Sequence, residues 1–161
     1  MNDLIQKLVF CLNEEAARYR ALLTLAENQK ELLMAGKTDV LPENVRLEEK
    51  EVFALGPIIG RRNELLGDFA KTCGVKTLSL TEALQKAPLE SIEDFKKAVI
   101  ELVQSAKKLE EANQSNEVLL QNALSYVNFT LKVIANGGKK KAFSPSPSKE
   151  ENNPSFVNRV V

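Results

Sequence analysis

The sequence predicts an all-α fold: an elongated antiparallel helical bundle, or coiled coil, with a long C-terminal helix and a disordered tail. The main observation is a stripe running at alternating four- and three-residue steps through Phe95, Val99, Leu102, Ala106, Leu109, Asn113, Asn116, Leu120, Ala123, Val127, Thr130 and Ile134. That spacing is the seam of a coiled-coil-like helix. Two earlier segments repeat it. The last residues, GGKKKAFSPSPSKEENNPSFVNRVV, are rich in Gly, Pro, Ser and charge and too poor in apolar groups to offset chain entropy.

Helix one is predicted over about 2–35. Its seam is Ile5, Leu8, Leu12, Glu15, Tyr19, Leu22, Ala26, Gln29 and Leu33, and Gly36 supplies the C-terminal stop. Thr38 or Asp39 is the candidate N-cap for helix two. Helix two, about 40–73, carries Leu41, Val45, Glu48, Val52, Leu55, Ile59, Arg62, Leu66, Phe69 and Cys73 in the same phase. A short connection makes it antiparallel to helix one. Pro57 lies inside it. A proline there removes one backbone hydrogen bond and clashes with the preceding turn, at about 3 kcal/mol, so a kink or short break near 57 is expected. The seam stays in phase from Leu55 to Ile59, which favours the kink.

Gly74 ends helix two. Ser79-Leu80-Thr81-Glu82 reads as a capping box for a short helix over 79–87, closed by Pro88. Ser91-Ile92-Glu93-Asp94 is a second capping signal, opening a helix over 91–136 that Asn136-Gly137 closes. Such a helix is roughly 65 Å long and outruns helix one, so part of its seam should overhang as an unpaired apolar face. Residues 1–136 form the bundle and 137–161 the tail.

Composition excludes several functions. Lysine plus arginine equals aspartate plus glutamate at 22 each, so no global field gathers nucleic acid or anionic membrane. No histidine occurs, which removes the commonest general base and transition-metal ligand. Cys11 and Cys73 stand apart, with no CxxC pair, and read as small buried hydrophobes. Neither a membrane-spanning run nor a secretion signal is legible, and a cytoplasmic location is expected. Acidic pairs such as Glu14-Glu15, Glu48-Glu49 and Glu110-Glu111 read as solvated helix-surface charge. No catalysis, cofactor or metal is expected.

Asn113 and Asn116 are the strongly polar members of the last seam. Buried amides there either fix register against a helix of the same protein or contact a partner, and both readings stay open. A free seam leads to two function classes: recognition of another protein's amphipathic helix, or a self-associating coiled-coil scaffold. Dilution separates them, because a scaffold stays oligomeric through the micromolar range.

The element order, Arg61-Arg62-Asn63-Glu64-Leu65-Leu66, and the run from Leu109 to Leu120 with its N-x-x-N-x-x-L-L pattern (Asn113, Asn116, Leu119, Leu120) resemble the FlgN family of flagellar export chaperones. The resemblance covers residues 1 to about 138. It implies a cytoplasmic chaperone that binds hook-filament junction proteins before type III secretion, holding a helical terminal segment with its last helix and C-terminal region. The partner-binding residues are then Asn113, Asn116, Leu119, Leu120, Ala123, Val127, Leu131 and Ile134. A weak homodimer is compatible with that reading. The family also implies docking at the flagellar export gate through a tail tyrosine followed by glycine. This chain has no tyrosine after Tyr126, and Phe143 is followed by Ser144. Phe143 and Phe156 are the remaining tail candidates. Lys139, Lys140 and Lys141 are too few to anchor a membrane.

Overall fold

The computed structural model describes residues 1–136. The predicted tail, with Phe143 and Phe156, lies outside the described residues. Four helices follow one another: α1 (Asn2–Met34), α2 (Leu41–Thr72), α3 (Leu80–Lys86) and α4 (Ile92–Ala135). No strand occurs among the described residues.

Cross-helix contacts fix the topology. Cys11 donates to the Ile58 carbonyl, Arg18 pairs with Glu51, and Asn44 bonds the Leu25 carbonyl, so α2 descends as α1 rises. Asn2 bonds Glu90 just before α4, Arg20 pairs with Glu101, and Asn116 bonds the Ala26 carbonyl, so α4 rises alongside α1. α1 packs against both long helices. Among the described residues α2 and α4 share no pair of Cα atoms within 8 Å. α1 is therefore the central member of a three-helix row, with α3 bridging α2 and α4 at one end.

Burial follows from that placement. In α1, Ile5, Leu8, Leu12, Tyr19, Leu22 and Ala26 are buried, joined by Cys11 and Ala16, because this helix has neighbours on two sides. In α4, Phe95, Ala98, Leu102, Ala106 and Leu109 are buried. Each such Leu or Phe contributes about 1.5–3 kcal/mol by leaving water. Phe69 closes the end of the core nearer α3, where Ala83 packs.

Glu15 is not solvated surface charge, as its acidic neighbour suggested, but fully buried. Arg62 Nη1 donates to both its oxygens at 2.9 and 3.1 Å, and Tyr19 Oη donates to one at 3.1 Å. Burial pushes the Glu15 carboxyl above its ordinary range, outweighing the Arg62 charge and the hydrogen bonds. Glu14, one residue earlier, does reach the surface, where it pairs with Arg61 at 2.8 Å.

The first half of α2 turns a different face inward from the one its apolar residues mark. Val45 and Val52 are exposed, while Asn44 is buried and Glu48 and Glu51 are half-buried. Asn44 is fully used: it donates to the Leu25 carbonyl and to Glu48, and accepts from Asn28. With only α1 beside it, this part of α2 is held by these hydrogen bonds together with the half-buried Leu41 and Leu47.

α2 stays helical through Pro57, without a break. Pro57 is exposed, and Phe53, whose carbonyl it cannot bond, is 86% exposed. The defect thus falls on the solvent side, where water replaces the lost bond.

The turns carry their chemistry unevenly. Gly36 and Gly74 adopt positive φ directly after α1 and α2, as C-terminal stops require. The box at α3 forms in full, Ser79 Oγ accepting from the Glu82 amide and Glu82 accepting from the Ser79 amide. α2 instead begins at Val40 with no side-chain cap, so neither Thr38 nor Asp39 serves. Ser91 precedes α4 but makes no cap bond; its hydroxyl donates to the Pro88 carbonyl.

Candidate functional site: the distal third of the last helix

α4 divides at Asn116. This residue is 2% exposed, and no later residue of α4 among those described is buried. Its Nδ2 donates to the Ala26 carbonyl at 2.7 Å and to Gln29 Oε1 at 3.1 Å. Asn44 of α2 donates to the adjacent Leu25 carbonyl. Two asparagines from flanking helices thus grip neighbouring carbonyls of α1, fixing the axial register of the bundle at one level. Asn116 Oδ1 is buried without a hydrogen-bond partner. Beside it lies a groove of about 330 Å³ between α1 and α4, lined by Ala26, Lys30, Glu111 and Ala112 among others.

The two seam asparagines therefore part company. Asn116 faces α1, whereas Asn113 is exposed. The buried line of α4 passes through Leu109, half-buried Ala112 and Asn116, so at this level α1 lies on the Ala112 side of the seam and Asn113 faces away from it.

Beyond this lock the remaining predicted partner-binding residues lie open in increasing degree. Leu119 is half-buried; Leu120 and Ala123 are exposed; Val127, Leu131 and Ile134 are 52, 59 and 70% exposed. The register explains it. Asn116 and Ala26 lie 90 residues apart in sequence, and the same offset brings Met34, the last residue of α1, level with Leu124. Past that level α1 no longer covers α4. Leu124, itself exposed, was missed by the original stripe, although the alternation Leu120, Leu124, Val127, Leu131, Ile134 marks it.

Those five side chains fall within about 80° of helix circumference at 100° per residue. From Val118 to Leu131 the sequence contains no charged residue. A contiguous apolar stripe on one side of an uncharged segment is a surface suited to packing another helix. Among the described residues no helix is long and apolar enough to cross a membrane.

Neither curated proteins nor solved structures yield a match to this chain. A family model does, that of the FlgN protein, and it matches residues 1–146. That span takes in all four helices, the Asn116 lock and the whole exposed stripe, and so the chain belongs to the FlgN family of flagellar export chaperones.

Proposed function

We propose that this chain binds the helical terminal region of hook-filament junction proteins in the cytoplasm through the distal third of α4, keeping them unassembled before secretion. The observation that supports this most directly is the stripe from Leu120 to Ile134, apolar, exposed and, from Leu124 onward, past the end of α1. An amphipathic helix needs an apolar face to lie on, and this one is displayed without charged residues from Val118 to Leu131. Leu120, Ala123, Val127, Leu131 and Ile134 supply the contact, with Leu119 and Asn113 at its margin. Asn116 serves by fixing the helix that displays them.

Isothermal titration with the C-terminal helical segment of a hook-filament junction protein tests the proposal. The expected result is one-to-one binding at micromolar affinity or better, with a monomer or weak dimer before the client is added. Absence of heat, together with an oligomer that survives dilution, would put the self-associating scaffold in its place.

A further inference from the structure

α4 presents one stripe along its whole length, and α1 occupies only the first part of it. Phe95, Leu102 and Leu109 are buried under α1. Leu120, Val127 and Ile134 continue the same four-and-three spacing, and from Leu124 onward the stripe runs past Met34. The vacant stretch is thus the continuation of an interface already built, with its geometry set by the two asparagine contacts on Leu25 and Ala26. From Leu124 to Ile134, at 1.5 Å per residue, it offers about 15 Å of helix axis.

We infer that the bound client helix lies on the line of α1, end to end with it, pairing with α4 as α1 does, and that it is selected by apolar spacing rather than by charge. This rests on the chaperone reading above. The client segment has about three turns with apolar residues at three- and four-residue intervals, and one end meets the α1–α2 turn, where Met34 and Val40 are exposed.

The second half of the inference has its own observation. The occupied part of α4 carries Glu93, Asp94, Lys96, Lys97, Glu101, Lys107 and Lys108, and Glu101 reaches across to Arg20 at 2.6 Å. The stretch from Val118 to Leu131 is flanked instead by Gln121, Asn122, Ser125, Asn128 and Thr130. Coiled-coil partners are discriminated and oriented by charges beside the seam. Without them the surface accepts helices whose flanking charges differ, and salt has little to screen.

The test uses the full chain and the C-terminal helical segment of a hook-filament junction protein. Leu131→Asp and Ile134→Asp should each weaken binding at least about tenfold. Val118→Asp, exposed on the opposite side of α4 and before the uncovered stretch begins, should leave it within about twofold. A tenfold rise in salt should change affinity by less than about threefold. A nitroxide on Met34→Cys should lose mobility when the segment binds, and one on Phe10→Cys should not. Binding that tolerates both stripe variants, or that leaves the Met34 label free, would overturn the placement while sparing the chaperone reading. A steep salt dependence would overturn selection by apolar spacing. Failure of the unmodified chain to bind would remove both.

Discussion

The two parts of α4 share a spacing and differ in everything around it. From Ile92 to Asn116 the stripe is buried against α1, flanked by charged residues, and locked at its end by an amide on the Ala26 carbonyl. From Leu120 to Ile134 the stripe is exposed and its flanks are uncharged up to Lys132. A residue pattern therefore defines a face, and only the length of the neighbouring helix decides whether that face is core or surface.

The largest effect that sharpens this contrast comes from truncating equivalent leucines. Leu102→Ala should lower stability by about 2–5 kcal/mol, and Leu131→Ala by less than about 0.5 kcal/mol. Equal losses in urea unfolding would mean that the distal stripe is packed as firmly as the proximal one, and the division at Asn116 would fail.

Next in size is the support of α1 from the α2 side. Glu15→Gln or Arg62→Met alone leaves the other partner buried without its full complement, at about 3–5 kcal/mol. Combining Glu15→Leu with Arg62→Met should recover most of that loss, since a buried pair is replaceable by apolar groups of similar volume. A double variant as unstable as the sum of the singles would mark the pair as a requirement of the fold.

The asparagines give a smaller and more diagnostic difference. Asn116→Ala removes hydrogen bonds to Ala26 and Gln29 and should cost about 1 kcal/mol, whereas Asn113→Ala, at an exposed site, should leave the thermal midpoint unchanged. Matching midpoints for the two variants would deny Asn116 its part in the register.

The smallest effect lies at α3. The Ser79 amide, and then its hydroxyl, hold the Glu82 carboxyl below its ordinary value of 4.5. A lowered native value means that the unfolded chain takes up a proton first, so this contribution is present above 4.5 and fades as pH falls through the lowered value. The protection factor of the Ser79 amide, which donates to the Glu82 carboxylate, should fall over that range in the unmodified chain and be low at all pH in Glu82→Ala. A protection factor that stays constant across that range in the unmodified chain would show the box to be idle.

Much of this was legible in advance because α1 and the first part of α4 are contacted along regular faces. The seam through Ile5, Leu8, Leu12, Tyr19, Leu22 and Ala26 emerges as core, and even Glu15 sits on its predicted line. α2 was harder. Its inward face at Asn44, Glu48 and Glu51 is polar, while Val45 and Val52 face outward. Apolar periodicity locates a face only where burial is apolar, and here hydrogen bonds decide it. The pairing of Glu15 was concealed for a related reason: Tyr19 lies one turn along the same helix, but Arg62 reaches it only after α1 and α2 dock. At the candidate site the exposed stripe was foreseen from helix lengths. The separation of Asn113 from Asn116 was not, since Ala112 and Asn113 stand on the two sides of the seam and the spacing does not say which side α1 covers.

The position of α1 in the middle of the row also orders events during synthesis. The α1–α2 hairpin closes over a short turn and can form as soon as α2 is made. The opposite face of α1 must wait for α4, whose lock at Ala26 is 90 residues away in sequence. Until then Leu102 and Leu109 are missing from their places, and a half-covered α1 stands exposed on the nascent chain. Contacts so distant close late and slowly. A short-lived two-helix hairpin is thus the stage most open to misassociation, and completion of α4 ends that stage.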